Sequence, residues 1–242
     1  DAGLKVKSLH ASNGRNPVSE VRTRKNATPA IENRKDIGSV HDWQRRSGVE
    51  LLQNRIDLAA ALGSPDAILH IDITDEVFRS AETEAAFFDP FWRSLDELHP
   101  YCVERGVKIA VETLQGASAE SWLRLYDLLF DRYPPEFLGL CLDIGHWHIV
   151  AGDDLSVLDR HGDRLIATHI HDNFGATDDH LLPFLGTIDW EAVTTAIAAT
   201  PCEMPLDLET PQDRHNLPEL PFYKIAHAVA LRLERMIAEK RA

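Results

Sequence analysis

The chain reads as an α/β protein, with its strands closing as a parallel (β/α)8 TIM barrel. Two observations lead there. Apolar runs short enough for buried strands alternate six times with longer stretches of helical periodicity, the signature of parallel strands with helices outside. One strand after another also ends in a side chain that can hold a metal: His10, His70, Glu112, Asp143, His169 and Glu209. An open doubly wound sheet places its site at one crevice. A closed barrel brings every strand's carboxyl end to one mouth, so groups from many strands can converge.

Taken in order, Leu4 to Leu9 alternates and ends at His10, a strand. Residues 11–42 are polar, broken by Asn-Gly and two prolines, and read as a long loop. From 11 to 46 the basic residues Arg15, Arg22, Arg24, Lys25, Arg34, Lys35, Arg45 and Arg46 face four acids, which suits a lid over an anionic substrate group, a solvated loop or a subunit contact. A helix follows through Leu51, Leu52, Ile56, Ala59 and Leu62 and stops at Gly63. Ala67–Ile71 is a strand carrying His70. Phe87–Arg105 is a helix with an apolar stripe of core residues. Lys108–Val111 is a strand ending at Glu112, and the helix after it uses Trp122, Leu125, Leu128 and Leu129.

The stretch from Cys141 to His148 is central. The apolar run Phe137–Leu142 is bounded by Pro134-Pro135 and Gly145 and reads as a buried strand. Asp143 ends it and His146 follows three residues on, as a metal-binding pair or as a helix cap beside a surface histidine. Leu165–Ile170 is a strand carrying His169, with His171 and Asp172 just after it. Residues 173–189 form a loop holding Asp178, His180 and Gly186, and Asp189 caps the next helix. Pro205–Leu208 leads to Glu209, and the last helix packs Phe222, Ile225, Ala226, Val229, Leu233, Met236 and Ile237.

Composition sets the bounds. The chain has 242 residues, 44% hydrophobic, with Lys+Arg 25, Asp+Glu 39 and a net charge of −14. That suits one acidic cytoplasmic enzyme domain over 1–242 and counts against nucleic acid as the main partner. Cys102, Cys141 and Cys202 form no CxxC pair and read as buried free thiols. Neither a signal peptide nor a membrane span is evident. Six strands leave two short of a barrel. The first two βα units are expected to be absent from the printed chain; the alternative is an incomplete barrel covered by a partner.

Glu112, Asp143, His169 and Glu209 supply three carboxylates and an imidazole, a set suited to Mn²⁺, Mg²⁺, Co²⁺ or Zn²⁺. At this point Val111-Glu112-Thr113, Cys141-Leu142-Asp143 through His146, His169-Ile170-His171-Asp172-Asn173, Asp178-Asp179-His180, Gly186-Thr187-Ile188-Asp189-Trp190 and Leu208-Glu209-Thr210 stand in one order. Together they resemble the xylose isomerase-like TIM-barrel superfamily, which holds the sugar phosphate isomerases and epimerases and the AP endonuclease family 2, or endonuclease IV, branch. The resemblance implies one divalent metal on Glu112, Asp143, His169 and Glu209. It implies proton transfer by Glu112 and Glu209 through a metal-stabilised enediolate, and substrate contacts from His10, His70, His146 and His180. The substrate would be a small sugar-like molecule, and a homo-oligomer fits the same reading.

The endonuclease IV branch implies a different use of the same positions: three zinc ions on abasic DNA, held by His10, His70, Glu112, Asp143, His146, His169, Asp178, His180 and Glu209. That branch follows its histidine strand with Asn-Asp-(Ala/Ser)-Lys, where this chain has His171-Asp172-Asn173-Phe174. Two departures bear on the epimerase side. Gly175 stands where those enzymes carry arginine, and Phe184-Leu185-Gly186 stands where many relatives have Gly-Glu-Gly.

Overall fold

The structure is a computed structural model and describes residues 3–11, 37–204 and 206–242. Most of the basic loop expected over 11–42 therefore lies outside the described residues. The chain divides into two compact units: Asp1–Glu112 with Leu129–Leu138, and Thr113–Leu128 with Gly139–Ala242.

In the first unit, β1 (Leu9–His10), β2 (Asp66–His70) and β3 (Lys108–Glu112) pair in parallel, β2 lying between the other two. Helices α1 (Asp42–Leu62) and α2 (Ala81–Arg105) make the crossovers. Ala67, Ile68, Leu69, Ile109, Ala110 and Val111 are buried, as parallel strands covered on both faces require. The register sets His70 opposite Glu112. Strand β1 is shorter than the expected Leu4–His10. Leu9 pairs with Ala67 and β2 begins at Asp66, so residues 4–7 have no ladder partner on β2. Leu4 is exposed.

Helix α2 begins six residues before the expected Phe87. Ser80 accepts from the Thr83 backbone N–H and the Thr83 side chain answers the Ser80 N–H, a reciprocal cap that fixes the start. The apolar stripe alone points to a later one. Gly106 ends the helix in the left-handed region at φ 65°.

In the second unit, β4 (Leu138–Asp143), β5 (Leu165–Ile170) and β6 (Asp207–Leu208) are parallel, with β5 paired to both others. Helix α3 (Ala119–Arg132) precedes β4. Short helices α4 (Ile144–Ala151) and α5 (Ser156–His161) follow it, α6 (Trp190–Ala198) precedes β6, and α7 (Glu219–Arg241) closes the chain. Asp189 caps α6 as expected, accepting from Glu191 N and Ala192 N at 3.0 Å. The expected strand over Pro205–Leu208 is confined to Asp207–Leu208 among the described residues. Phe222 and Ala226 of α7 pack with Leu182, Leu208 and Leu217.

Gly139 lies where β4 and β5 approach closely. A Cβ there would fall 2.5 Å from Ile166 Cδ1 and 2.9 Å from the Arg164 carbonyl oxygen. The side chain can shift but the carbonyl cannot without disturbing the ladder. Gly139→Ala is expected to cost about 1–3 kcal/mol, read as a lower urea midpoint at unchanged slope. A midpoint equal to the parent's would show that the strands part freely.

Cys102, Cys141 and Cys202 are free and buried, as expected. Burial pushes the Cys102 thiol up to about 12. Among the described residues no helix is long and apolar enough to cross a membrane.

Candidate metal centre

Parallel register brings strand-end side chains into groups. In the first unit His10, His70 and Glu112 offer ligand atoms within 4.8 Å of one another. Glu112 Oε2 lies 2.6 Å from His70 Nε2 and 3.3 Å from His10 Nε2. The glutamate is buried and His10 is exposed, so the group reaches the surface through His10.

In the second unit Asp143 sits opposite His169 across β4 and β5. Glu209 follows β6 directly, and its N–H donates to the Ile170 carbonyl at 3.1 Å. His169 Nδ1 lies 3.2 Å from Glu209 Oε2 and 3.9 Å from Asp143 Oδ2. Asp143 also caps α4: its Oδ1 accepts from His146 N at 2.7 Å. The cap and the metal-ligand readings of this residue are therefore compatible, since Oδ2 still faces the imidazoles. His146 is not at the surface, as the cap reading supposed. It is 8% exposed.

A further group joins His146, His171, Asp178 and His180, again with ligand atoms within 4.8 Å. His146 Nδ1 lies 3.0 Å from the Thr113 carbonyl oxygen, and His180 Nδ1 lies 2.7 Å from that of Glu209. A carbonyl only accepts, so both rings carry their proton on Nδ1 there. Each then turns the other nitrogen toward Asp178 Oδ2, at 3.4 Å from His146 and 3.0 Å from His180. Two nitrogen lone pairs and a carboxylate meet at one point only with a cation among them, a proton or a metal ion. Imidazoles bound to metals show the same arrangement, one nitrogen on a carbonyl and the other on the ion.

The proton can fill this role. Burial opposes ionisation of Asp178, but hydrogen bonds from His146 and His180 outweigh it and hold the carboxyl well below the usual carboxylate range. The Asp178 hydrogen bond in turn raises His180. Asp178 Oδ1 is buried and accepts no hydrogen bond among the described residues. A buried oxygen of this kind calls for a cation or a donor, so the group fits a divalent ion.

The loop carrying Asp178 and His180 is organised by Asp172, which is fully buried. Its Oδ1 accepts from Asn173 N at 2.9 Å and Ile188 N at 3.2 Å, and its Oδ2 from Phe184 N at 2.9 Å and Trp190 Nε1 at 2.8 Å. Its backbone exchanges two hydrogen bonds with Leu181, at 2.7 and 2.9 Å. Gly186 has to be glycine, since a Cβ would strike the Asn173 carbonyl and Asp172 Oδ1.

A family model described as xylose isomerase-like TIM barrel matches residues 2–230. The chain belongs to this family. The expected α/β TIM-barrel fold class is thereby established. The uncharacterized protein y4fM of Sinorhizobium fredii is 59% identical over 241 residues, covering 100% of this chain and 78% of that protein. A solved D-tagatose 3-epimerase-like protein aligns over 100% of this chain and 81% of its own at TM-score 0.71 and 19% identity. The IOLI protein, solved with a binding zinc atom, aligns over 85% of this chain and 73% of its own at TM-score 0.61 and 17% identity. Further solved structures of similar fold are xylose isomerase domain proteins and sugar epimerases. At these identities the structural likeness concerns the fold.

The candidate residues of this barrel fall into place as follows. His10, His70 and Glu112 stand together in the first unit. In the second, Asp143, His169 and Glu209 form one group and His146, Asp178 and His180 another. His171 was not among the residues singled out from the sequence, yet it touches both groups of the second unit. The signal was present: in a strand, residues two apart share a face, so His169-Ile170-His171 aims both imidazoles the same way.

Proposed function

We propose that this chain is a divalent-metal-dependent isomerase or epimerase of a small sugar, sugar phosphate or related hydroxy-carbonyl compound. The observation that carries the reading is the convergence of Asp143, His169 and Glu209, from the ends of three paired strands. The family pattern adds Glu112 to the set. A divalent ion such as Mn²⁺, Zn²⁺, Mg²⁺ or Co²⁺ supplies positive charge to adjacent substrate oxygens and acidifies the C–H beside them.

The chain's own groups do the rest. Asp143 and His169 are buried and fixed, so they hold. The Glu209 side chain is about one-third exposed, at 34%, and so can meet a substrate and move a proton at the carbon next to a carbonyl. In this reading Glu112 serves the opposite face. His146 and His180, each held through Nδ1, keep their rings fixed toward the substrate's other oxygens.

Turnover of a panel of ketoses, aldoses and their phosphates in D₂O tests the assignment. The expected result is deuterium at the carbon that inverts or isomerises. A substrate turned over without exchange would replace proton transfer by hydride transfer.

A second reading has its own support. The first unit carries the donor group His10–His70–Glu112, and the second carries His146–Asp178–His180 as well as Asp143–His169–Glu209, three sets of donors for a trinuclear zinc phosphodiesterase acting on abasic DNA. Metal analysis of protein purified without added metal separates the two. One ion per chain supports the isomerase. Three ions, with cleavage of an abasic-site oligonucleotide, assign the chain to the phosphodiesterase class.

A further inference from the structure

We infer that His171 is a positioning residue whose Nε2–H holds the Asp143 carboxylate, so that the Asp143–His169–Glu209 group presents that ligand in one fixed orientation. His171 is fully buried. Its Nε2 lies 3.0 Å from Asp143 Oδ1, 3.3 Å from Asp143 Oδ2 and 3.7 Å from Asp178 Oδ1. Its Nδ1 is buried with no hydrogen-bond partner among the described residues. A carboxylate only accepts, so the Asp143 oxygens at Nε2 call for a ring N–H on that side.

The ring is held from three sides. It stacks on His180 with centroids 4.1 Å apart and planes at 19°, and meets His146 edge-on at 5.5 Å. On the third side lies Gly145 of α4, where any Cβ would overlap the His171 ring. The glycine that opens the helix thus makes room for the histidine that steadies the carboxylate capping it. The Asn173 side chain donates to the Gly145 carbonyl at 2.8 Å and fixes that turn. Carboxylates that bind metals depend on such outer partners for their orientation, and losing one commonly costs ten- to a hundredfold in affinity.

Two measurements on the full chain test this. The affinity test rests on the metal reading above; the spectroscopic one rests on hydrogen-bond geometry alone. In metal-free protein, long-range ¹H–¹⁵N correlation is expected to show His171 with its proton on Nε2. A proton on Nδ1 would overturn the inference, whatever the metal content. In zinc titrations His171→Leu is expected to bind about ten- to a hundredfold more weakly than the parent at the Asp143–His169–Glu209 group. His171→Gln, whose amide N–H reaches about as far as Nε2, is expected to recover most of the loss. Gly145→Ala should reproduce the loss and add little to His171→Leu, because both act on one contact. A folded His171→Leu protein binding zinc as tightly as the parent would overturn the inference. A parent that binds no zinc would overturn the metal reading, and the tautomer would still decide the hydrogen bond.

Discussion

Replacing Asp172 by alanine is expected to lower the unfolding free energy by about 3–5 kcal/mol, because one acceptor shared by several buried donors is lost. Four N–H groups converge on this carboxylate, from Asn173, Ile188, Phe184 and Trp190. Each donor left buried and unpaired costs about 1–3 kcal/mol, less whatever water recovers. Asp172→Asn is expected to help little. It turns one acceptor into a donor, facing the Phe184 and Trp190 N–H groups or those of Asn173 and Ile188. Urea unfolding gives the magnitude, and hydrogen exchange gives the place: protection should fall first over residues 173–189. A loss below about 1 kcal/mol would mean that other contacts hold the loop.

The largest effect on ligand binding is expected at Asp143. Asp143→Ala should weaken zinc binding to the Asp143–His169–Glu209 group by more than a hundredfold, beyond what an outer partner costs. Turnover should fall below detection. The same change removes the α4 cap, worth about 1 kcal/mol, and Asp143→Ser separates the two roles. Serine retains a cap acceptor for the His146 N–H but removes the anionic ligand. Stability close to the parent's with zinc affinity as poor as alanine's is the expected pattern. If serine binds zinc like the parent, Asp143 is a cap and the metal assignment fails.

The strand ends were legible because an apolar run that stops at a carboxylate or imidazole carries its own boundary. Glu112 and Asp143 end their strands, His169 stands one residue before the end of β5, and Glu209 stands one residue beyond β6. The Asp143–His146 spacing was legible too, because a strand running straight into a helix leaves few conformations for the residues between. The extent of the 173–189 loop was legible, but its shape was not. Its shape comes from tertiary hydrogen bonds to Asp172 and from left-handed backbone at His180 (φ 49°) and Phe184 (φ 76°). Sequence cues for that conformation point to glycine or asparagine, and these residues are neither. The early start of α2 lies outside the pattern because its cap, Ser80, stands seven residues ahead of Phe87, where the apolar stripe begins. His171 was missed because attention to strand ends stops at the last paired residue, while the strand's alternation runs one step further.

The anchors of His146 and His180 have a consequence for how this scaffold can diverge. Both rings are held by main-chain oxygens, of Thr113 and Glu209. A carbonyl persists through any side-chain replacement. Mutational drift at either position can therefore redesign what surrounds a ligand while the imidazole stays aimed. Glu209→Gln, for instance, removes an acid and keeps the oxygen that orients His180. Chemistry and preference can be re-specified one residue at a time, without each step having to rebuild the geometry on which the next depends.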